Sequence, residues 1–82
     1  MAARPLKLRE LRAALRRFGV NESAARGKGS HTMFSKEIEG ILVSYPVPTS
    51  KRDVKPCYVA GCRRRFKLTV EDGVTDREFY GR

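Results

Sequence analysis

Residues Ser30–Pro48, with the sequence SHTMFSKEIEGILVSYPVP, decide the fold. In Ser30–Ser35 successive side chains would alternate between the two faces of an extended chain, and this pattern predicts one strand. Ile41–Tyr45 is a β-branched and aromatic run with the length of another strand. Pro46 and Pro48 are expected to end that strand, because proline cannot donate a hydrogen bond to a strand ladder. The stretch therefore predicts two strands of an antiparallel sheet.

A helix is predicted before these strands. Apolar residues recur there at intervals of three and four, as on the buried stripe of an amphipathic helix: Leu8, Leu11, Leu15 and Phe18. Pro5 suits the first turn of this helix, and Gly19 suits its C-terminal cap. Val20–Arg26 is weakly patterned and predicts an edge strand between the helix and Ser30.

A second helix is predicted after the strands, with Pro56 in its first turn. Its apolar face is formed by residues three and four apart, namely Val59, Cys62 and Phe66. The sum is a single α+β domain over residues 1–82, a two-layer sandwich of helix, three antiparallel strands and helix. Residues 68–82 form an extension in which Thr75 caps one last helical turn, and this extension either packs on the domain or is partly frayed.

The chain is strongly basic. Its 82 residues contain 18 Lys and Arg against 9 Asp and Glu, a formal net charge of +9, and such a charge attracts polyanions. Nucleic acid is therefore the first partner to consider. The sequence has neither a membrane-spanning apolar run nor a signal-peptide core, so a cytosolic protein is expected. Cys57 and Cys62 fit neither a disulfide nor a zinc spacing, and neither a metal nor another cofactor is expected.

The only histidine follows a small basic turn. The stretch RGKGSHTMF, Arg26–Phe34, places His31 directly behind Lys28, Gly29 and Ser30. Glycine lets backbone N–H groups approach a phosphate closely, Lys28 supplies a positive charge and Ser30 a hydroxyl contact. A histidine can exchange protons near neutral pH, as a ribonuclease that cyclises the ribose requires. A purely structural histidine on a strand remains the alternative.

The whole chain resembles the HicA family of toxins, the messenger-RNA interferases of type II toxin–antitoxin systems. The resemblance is carried by the leading helix LRELRAALRRFG, the turn GKGSH, the strand exit YPVP and the helix DVKPCYVAGCRRRF. It implies a fold similar to a double-stranded-RNA-binding domain and a ribonuclease that needs no metal. It also implies that His31 is the key catalytic residue and that a HicB-type antitoxin covers the active site. The chain would then be a monomer when free and a hetero-oligomer with its antitoxin.

The sequence departs from that family in two respects: its tail, LTVEDGVTDREFYGR, is longer than the shortest relatives need, and it has fewer histidines. Many relatives carry further histidines, whereas His31 is the only one in this chain. Either His31 transfers the proton in both directions, or Lys28, an arginine or water completes the cycle. The expected product of a metal-free reaction is a 2′,3′-cyclic phosphate.

The basic helices are expected to hold the RNA backbone. The predicted phosphate ligands beyond the turn are Arg12, Arg16, Arg63 and Arg64, with Lys28 beside them. Two alternatives differ from a ribonuclease. One is a non-catalytic RNA-binding module of the same fold, and the other is a basic docking face for an acidic protein.

Overall fold

The computed structural model describes residues 5–24, 31–49 and 51–81. In chain order the described elements are β1 (Leu6–Lys7), α1 (Leu8–Arg17), β2 (Asn21–Ala24), β3 (His31–Ile38), β4 (Ile41–Pro48), β5 (Asp53–Val54), α2 (Pro56–Arg65) and α3 (Asp76–Tyr80). A 3-10 turn at Val70–Asp72 precedes α3. None of the helices in these described ranges is long and apolar enough to cross a membrane.

The main sheet confirms the α+β class. Strands β2, β3 and β4 pair antiparallel in that order, with Phe34 opposite Tyr45 and Thr32 opposite Val47. The predicted alternation on β3 is present, since Thr32 and Phe34 are buried while His31 is exposed. One face of the sheet therefore packs on the helices.

The two prolines do not end β4, as the sequence led us to expect. Strand β4 continues to Pro48, with Pro46 opposite Met33 and Pro48 opposite His31. Since β4 is an edge strand, a residue whose nitrogen points outwards needs no ladder partner. Alternate residues of a strand direct their nitrogens to the same side, so both prolines occupy outward positions.

The first helix begins later than Pro5. Leu6 and Lys7 pair with Val54 and Asp53 in a second, two-residue ladder. The Leu8 N–H then donates to the Arg52 carbonyl at 2.7 Å, where α1 starts. This long-range pairing holds the residues before Leu8 extended.

The core lies between the covered sheet face and the helices. Both predicted stripes contribute to it: Leu11 and Leu15 from α1, and Val59, Cys62 and Phe66 from α2 or its cap. Pro56 occupies the first turn of α2, as expected. Cys62 is buried and Cys57 is exposed, and both are free thiols.

The tail packs on this core. Thr75 caps α3, as predicted, because its hydroxyl accepts a hydrogen bond from the Glu78 N–H at 3.0 Å. Phe79 in α3 is fully buried and joins the core cluster. The Arg17 guanidinium of α1 donates to the Phe79 carbonyl at 2.8 Å and so fixes the end of α3.

Candidate nucleic-acid interface

His31 is the first residue of β3 and pairs with Pro48, the last residue of β4. Its side chain is exposed on the sheet face that the helices leave open. The turn predicted to hold phosphate with it, Lys28, Gly29 and Ser30, lies outside the described residues. The structure therefore places the imidazole at an accessible end of the sheet.

A basic cleft lies beside the same end of the sheet. It occupies about 560 Å³ and is lined by Lys7, Arg9, Arg12, Thr49, Lys51 and Arg52. The start of α1 forms one wall, and the chain between β4 and β5 forms the other. These walls meet where the Leu8 N–H donates to the Arg52 carbonyl.

Carboxylates neutralise only part of this cleft. Lys7 Nζ lies 3.9 Å from Asp53 Oδ1, and Arg12 Nε lies 3.0 Å from Glu22 Oε2. Within the described ranges, no acidic group is within ion-pair distance of the other three cations of the cleft, Arg9, Lys51 and Arg52. The cleft thus retains an excess of positive charge on exposed side chains, which suits an anion.

One contact connects the cleft with the strand that carries His31. The Thr32 hydroxyl lies 3.5 Å from that of Thr49, which lines the cleft. Thr32 follows His31 in β3, but alternation directs the two side chains to opposite faces of the sheet. The imidazole and the basic cleft therefore lie near the same end of the β3–β4 ladder, with His31 on the opposite face of the sheet from Thr32.

The predicted phosphate ligands do not form one cluster. Arg12 lines the basic cleft, and the exposed Arg16 lies one helical turn beyond it on α1. Arg64 is exposed on α2 and lines a different groove beside β4. Arg63, by contrast, is 7% exposed.

Arg63 contributes to packing rather than to the surface. Its guanidinium donates to Asp76 Oδ1 at 2.7 Å, to the Leu68 carbonyl at 2.8 Å and to the Val74 carbonyl at 3.0 Å. It also lies over the Phe79 ring, 4.8 Å from the centroid. These contacts engage its donors within the protein, so its position does not match the expected role as a phosphate ligand.

Sequence reasoning missed most of the cleft. Lys7, Lys51 and Arg52 were not among the predicted ligands, and a solvated loop is the ordinary expectation for two adjacent cations after Pro48. The β1–β5 ladder brings them together, although about 45 residues of chain separate Lys7 from Arg52. The only pattern that indicated these residues was the presence of two cation-rich stretches, KLRELR and KR.

No protein-family model, curated protein or solved structure matches this chain. Function is therefore inferred from the sequence motifs and from the geometry of this site.

Proposed function

We propose that this chain is a HicA-type toxin: a metal-independent ribonuclease that cleaves messenger RNA in the cytoplasm and is inhibited by a HicB-type antitoxin. The proposal includes a fold related to double-stranded-RNA-binding domains. The observation that carries it is the basic cleft at the end of the β3–β4 ladder, next to the strand position of the only histidine. An RNA backbone that crosses this end of the sheet would contact both.

His31 acts on the ribose in the proposed reaction. Its neutral imidazole takes the proton from a 2′-hydroxyl, whose oxygen attacks the adjacent phosphorus. The bond from the 2′-oxygen to phosphorus forms and the bond from phosphorus to the 5′-oxygen breaks, which leaves a 2′,3′-cyclic phosphate. The 5′-oxygen takes a proton either back from His31 or from Lys28, an arginine or water, and in the second case exchange with solvent restores both His31 and the donor.

The cleft supplies charge rather than proton transfer. Lys and Arg side chains around a phosphate stabilise the negative charge that develops on its oxygens in the transition state. Arg9, Lys51 and Arg52 are the cations of the cleft that remain outside ion pairs among the described residues. Their exposure predicts that binding weakens steeply as salt concentration rises.

The experiment compares the parent protein with His31→Ala and with Glu37→Ala. Glu37 is a matched control because it lies exposed on the same face of β3, six residues from His31. We expect growth arrest on induced expression of the parent and Glu37→Ala but not of His31→Ala. Purified protein should cleave a long RNA in excess EDTA in the same pattern.

The products and the binding data separate this proposal from its alternative. A 3′-hydroxyl product, or equal cleavage by His31→Ala, would contradict it. RNA binding by all three proteins without cleavage by any of them would favour the non-catalytic RNA-binding module, for which the basic cleft would serve equally well.

A further inference from the structure

A second surface runs along the contact between α2 and the edge strand β4. Two grooves lie on it, one around Tyr58 near the start of α2 and one around Tyr45 near its end. Both tyrosines are half-buried against the core, so each ring is held in place while part of it stays at the surface. We call this surface the α2–β4 seam.

Close packing fixes the Tyr45 ring on the helix. Gly61 of α2 lies directly against it, and a Cβ at position 61 would overlap the phenol, with the ring Cζ only 2.6 Å away. Burial raises the pKa of the Tyr45 phenol above its ordinary value. The Arg65 guanidinium next to it donates to the Ser44 carbonyl at 3.1 Å and joins α2 to β4.

Cations surround both tyrosines. Lys51 and Lys55 line the Tyr58 groove, while Arg64, Arg65 and Lys67 line the Tyr45 groove. Asp53 is the only acidic residue that lines either groove in the described structure. Aromatic rings interleaved with cations are the combination on which single-stranded nucleic acid binds, with bases on the rings and phosphates on the charges.

Lys67 lies at this end of the seam in an unusual backbone conformation. It has φ +57°, in the left-handed region that glycine adopts without strain and that lysine rarely adopts. At position 67 the residue that strains the backbone is also a cation lining the Tyr45 groove.

We propose that the α2–β4 seam binds single-stranded RNA, with Tyr58 and Tyr45 as stacking surfaces and Lys51, Lys55, Arg64 and Lys67 as phosphate contacts. Lys51 lines both the basic cleft and the Tyr58 groove, so the two surfaces are continuous. The choice of RNA rests on the proposed function. The seam would hold the strand that flanks the cleaved phosphate, and it would set a minimum length for the substrate.

The composition of the seam favours RNA over a protein partner. The large apolar side chains most exposed in the described structure are Ile41, Leu42 and Val70, and none of them lines the seam. The centre of a protein interface is apolar and depleted of charge, whereas cations predominate along the α2–β4 seam.

The test measures binding of a fluorescent, unstructured oligoribonucleotide by anisotropy in a His31→Ala background, where cleavage at that residue is removed. Lys67→Gly should weaken binding about three- to tenfold and reduce the logarithmic salt slope by about 0.7, the effect of one phosphate contact to a single strand. It should also raise the melting temperature, so that unfolding cannot explain the loss. Tyr58→Leu keeps an apolar side chain but loses the ring, and we expect about tenfold weaker binding.

Two control variants isolate these effects. Arg77→Gln removes one positive charge from the exposed surface of α3, away from both grooves. Glu39→Gly relieves the same left-handed geometry, since Glu39 has φ +52° in the turn between β3 and β4. Neither variant should weaken binding by more than about twofold.

Several outcomes would overturn the proposal: no RNA binding by the parent, unchanged affinity in both Lys67→Gly and Tyr58→Leu, or equal losses on blunt duplex RNA. The proposed function fails separately. Seam-dependent binding without cleavage at His31 would contradict the ribonuclease alone, and cleavage at His31 with an unaffected seam would contradict the seam alone.

Discussion

The ends of α1 and α2 have similar sequences and nearly the same geometry, but a glycine follows the phenylalanine in α1 and a lysine follows it in α2. Arg16–Val20 reads RRFGV and Arg64–Leu68 reads RRFKL. In each, the phenylalanine has ψ 14° and the last residue donates to a carbonyl five positions back, at 3.0 Å in α1 and 2.7 Å in α2. The residue between them is left-handed in both, with φ +82° at Gly19 and +57° at Lys67.

The exchange of glycine for lysine at this position affects two properties, the stability of the helix end and the charge it carries. A non-glycine residue in the left-handed region costs roughly 1 kcal/mol. Gly19 at the end of α1 does not incur that cost. Lys67 at the end of α2 does, and its side chain places a cation in the Tyr45 groove. Both ends also hold α3, through Arg17 from α1 and Arg63 from α2.

The largest predicted effect comes from removing the Arg63 hydrogen bonds, which join α2 to α3 and to the chain before it. Arg63→Met should lower the free energy of unfolding by about 3 kcal/mol, because it leaves the Asp76 carboxylate and two carbonyls without their donor. Arg17→Met removes hydrogen bonds at a more exposed place and should cost only about 1 kcal/mol. Urea unfolding of both variants measures the difference. Equal losses would show that the buried arginine has no special role.

The next effect compares Gly61 in α2 with Ala13, the equivalent residue of α1. Helix propensity alone predicts that alanine stabilises either position by about 1 kcal/mol relative to glycine. Ala13→Gly should follow that rule because Ala13 is exposed. Gly61→Ala should instead destabilise by about 1–3 kcal/mol, since its Cβ would overlap the Tyr45 ring.

The role of Tyr45 can be checked directly by thermal unfolding. In a Tyr45→Ala background the overlap is absent, so Gly61→Ala should become stabilising. If Gly61→Ala stabilised the parent as well, the close contact between α2 and β4 would be refuted.

These pairs also show how far the sequence could predict the structure. The apolar stripes of α1 and α2, the alternation on β3 and the cap at Thr75 were predictable because each depends on residues within one or two helical turns or strand pairs. Which of three consecutive arginines turns inward was not predictable. It depends on the position of Asp76, eleven to thirteen residues further along the chain.

The candidate site likewise has a part that local sequence predicts and a part that it does not. His31 at the start of a strand followed from local pattern. The basic cleft did not, because a two-residue ladder between β1 and β5 assembles it, and such a ladder has no recognisable sequence pattern. The prolines of β4 were assigned by intrinsic preference, which the edge position overrides.

A smaller effect is expected when the residues at the two helix caps, Gly19 and Lys67, are exchanged. Gly19→Lys should destabilise the protein by about 1 kcal/mol, and Lys67→Gly should stabilise it by a similar amount. The double exchange should then leave stability nearly unchanged, since the two ends lie on different helices and their effects should add. Denaturant midpoints at constant slope test this. A destabilised Lys67→Gly protein would mean that the lysine side chain contributes more to folding than its strained backbone costs.

The smallest effect concerns the first turn of α3, the helix that both ends hold. Glu78 accepts from the Thr75 N–H at 2.9 Å and from the Thr75 hydroxyl at 3.1 Å, and these bonds lower the pKa of its carboxyl below the ordinary value of 4.5. A lowered folded-state pKa stabilises the protein above the unfolded-state value, and the contribution disappears as pH falls through the folded-state pKa. The parent should therefore melt slightly higher than Glu78→Gln at pH 7, with the gap closing as the pH falls below about 4. Thermal melts across that range measure the gap, and a gap independent of pH would show that the charge of Glu78 does not contribute to capping α3.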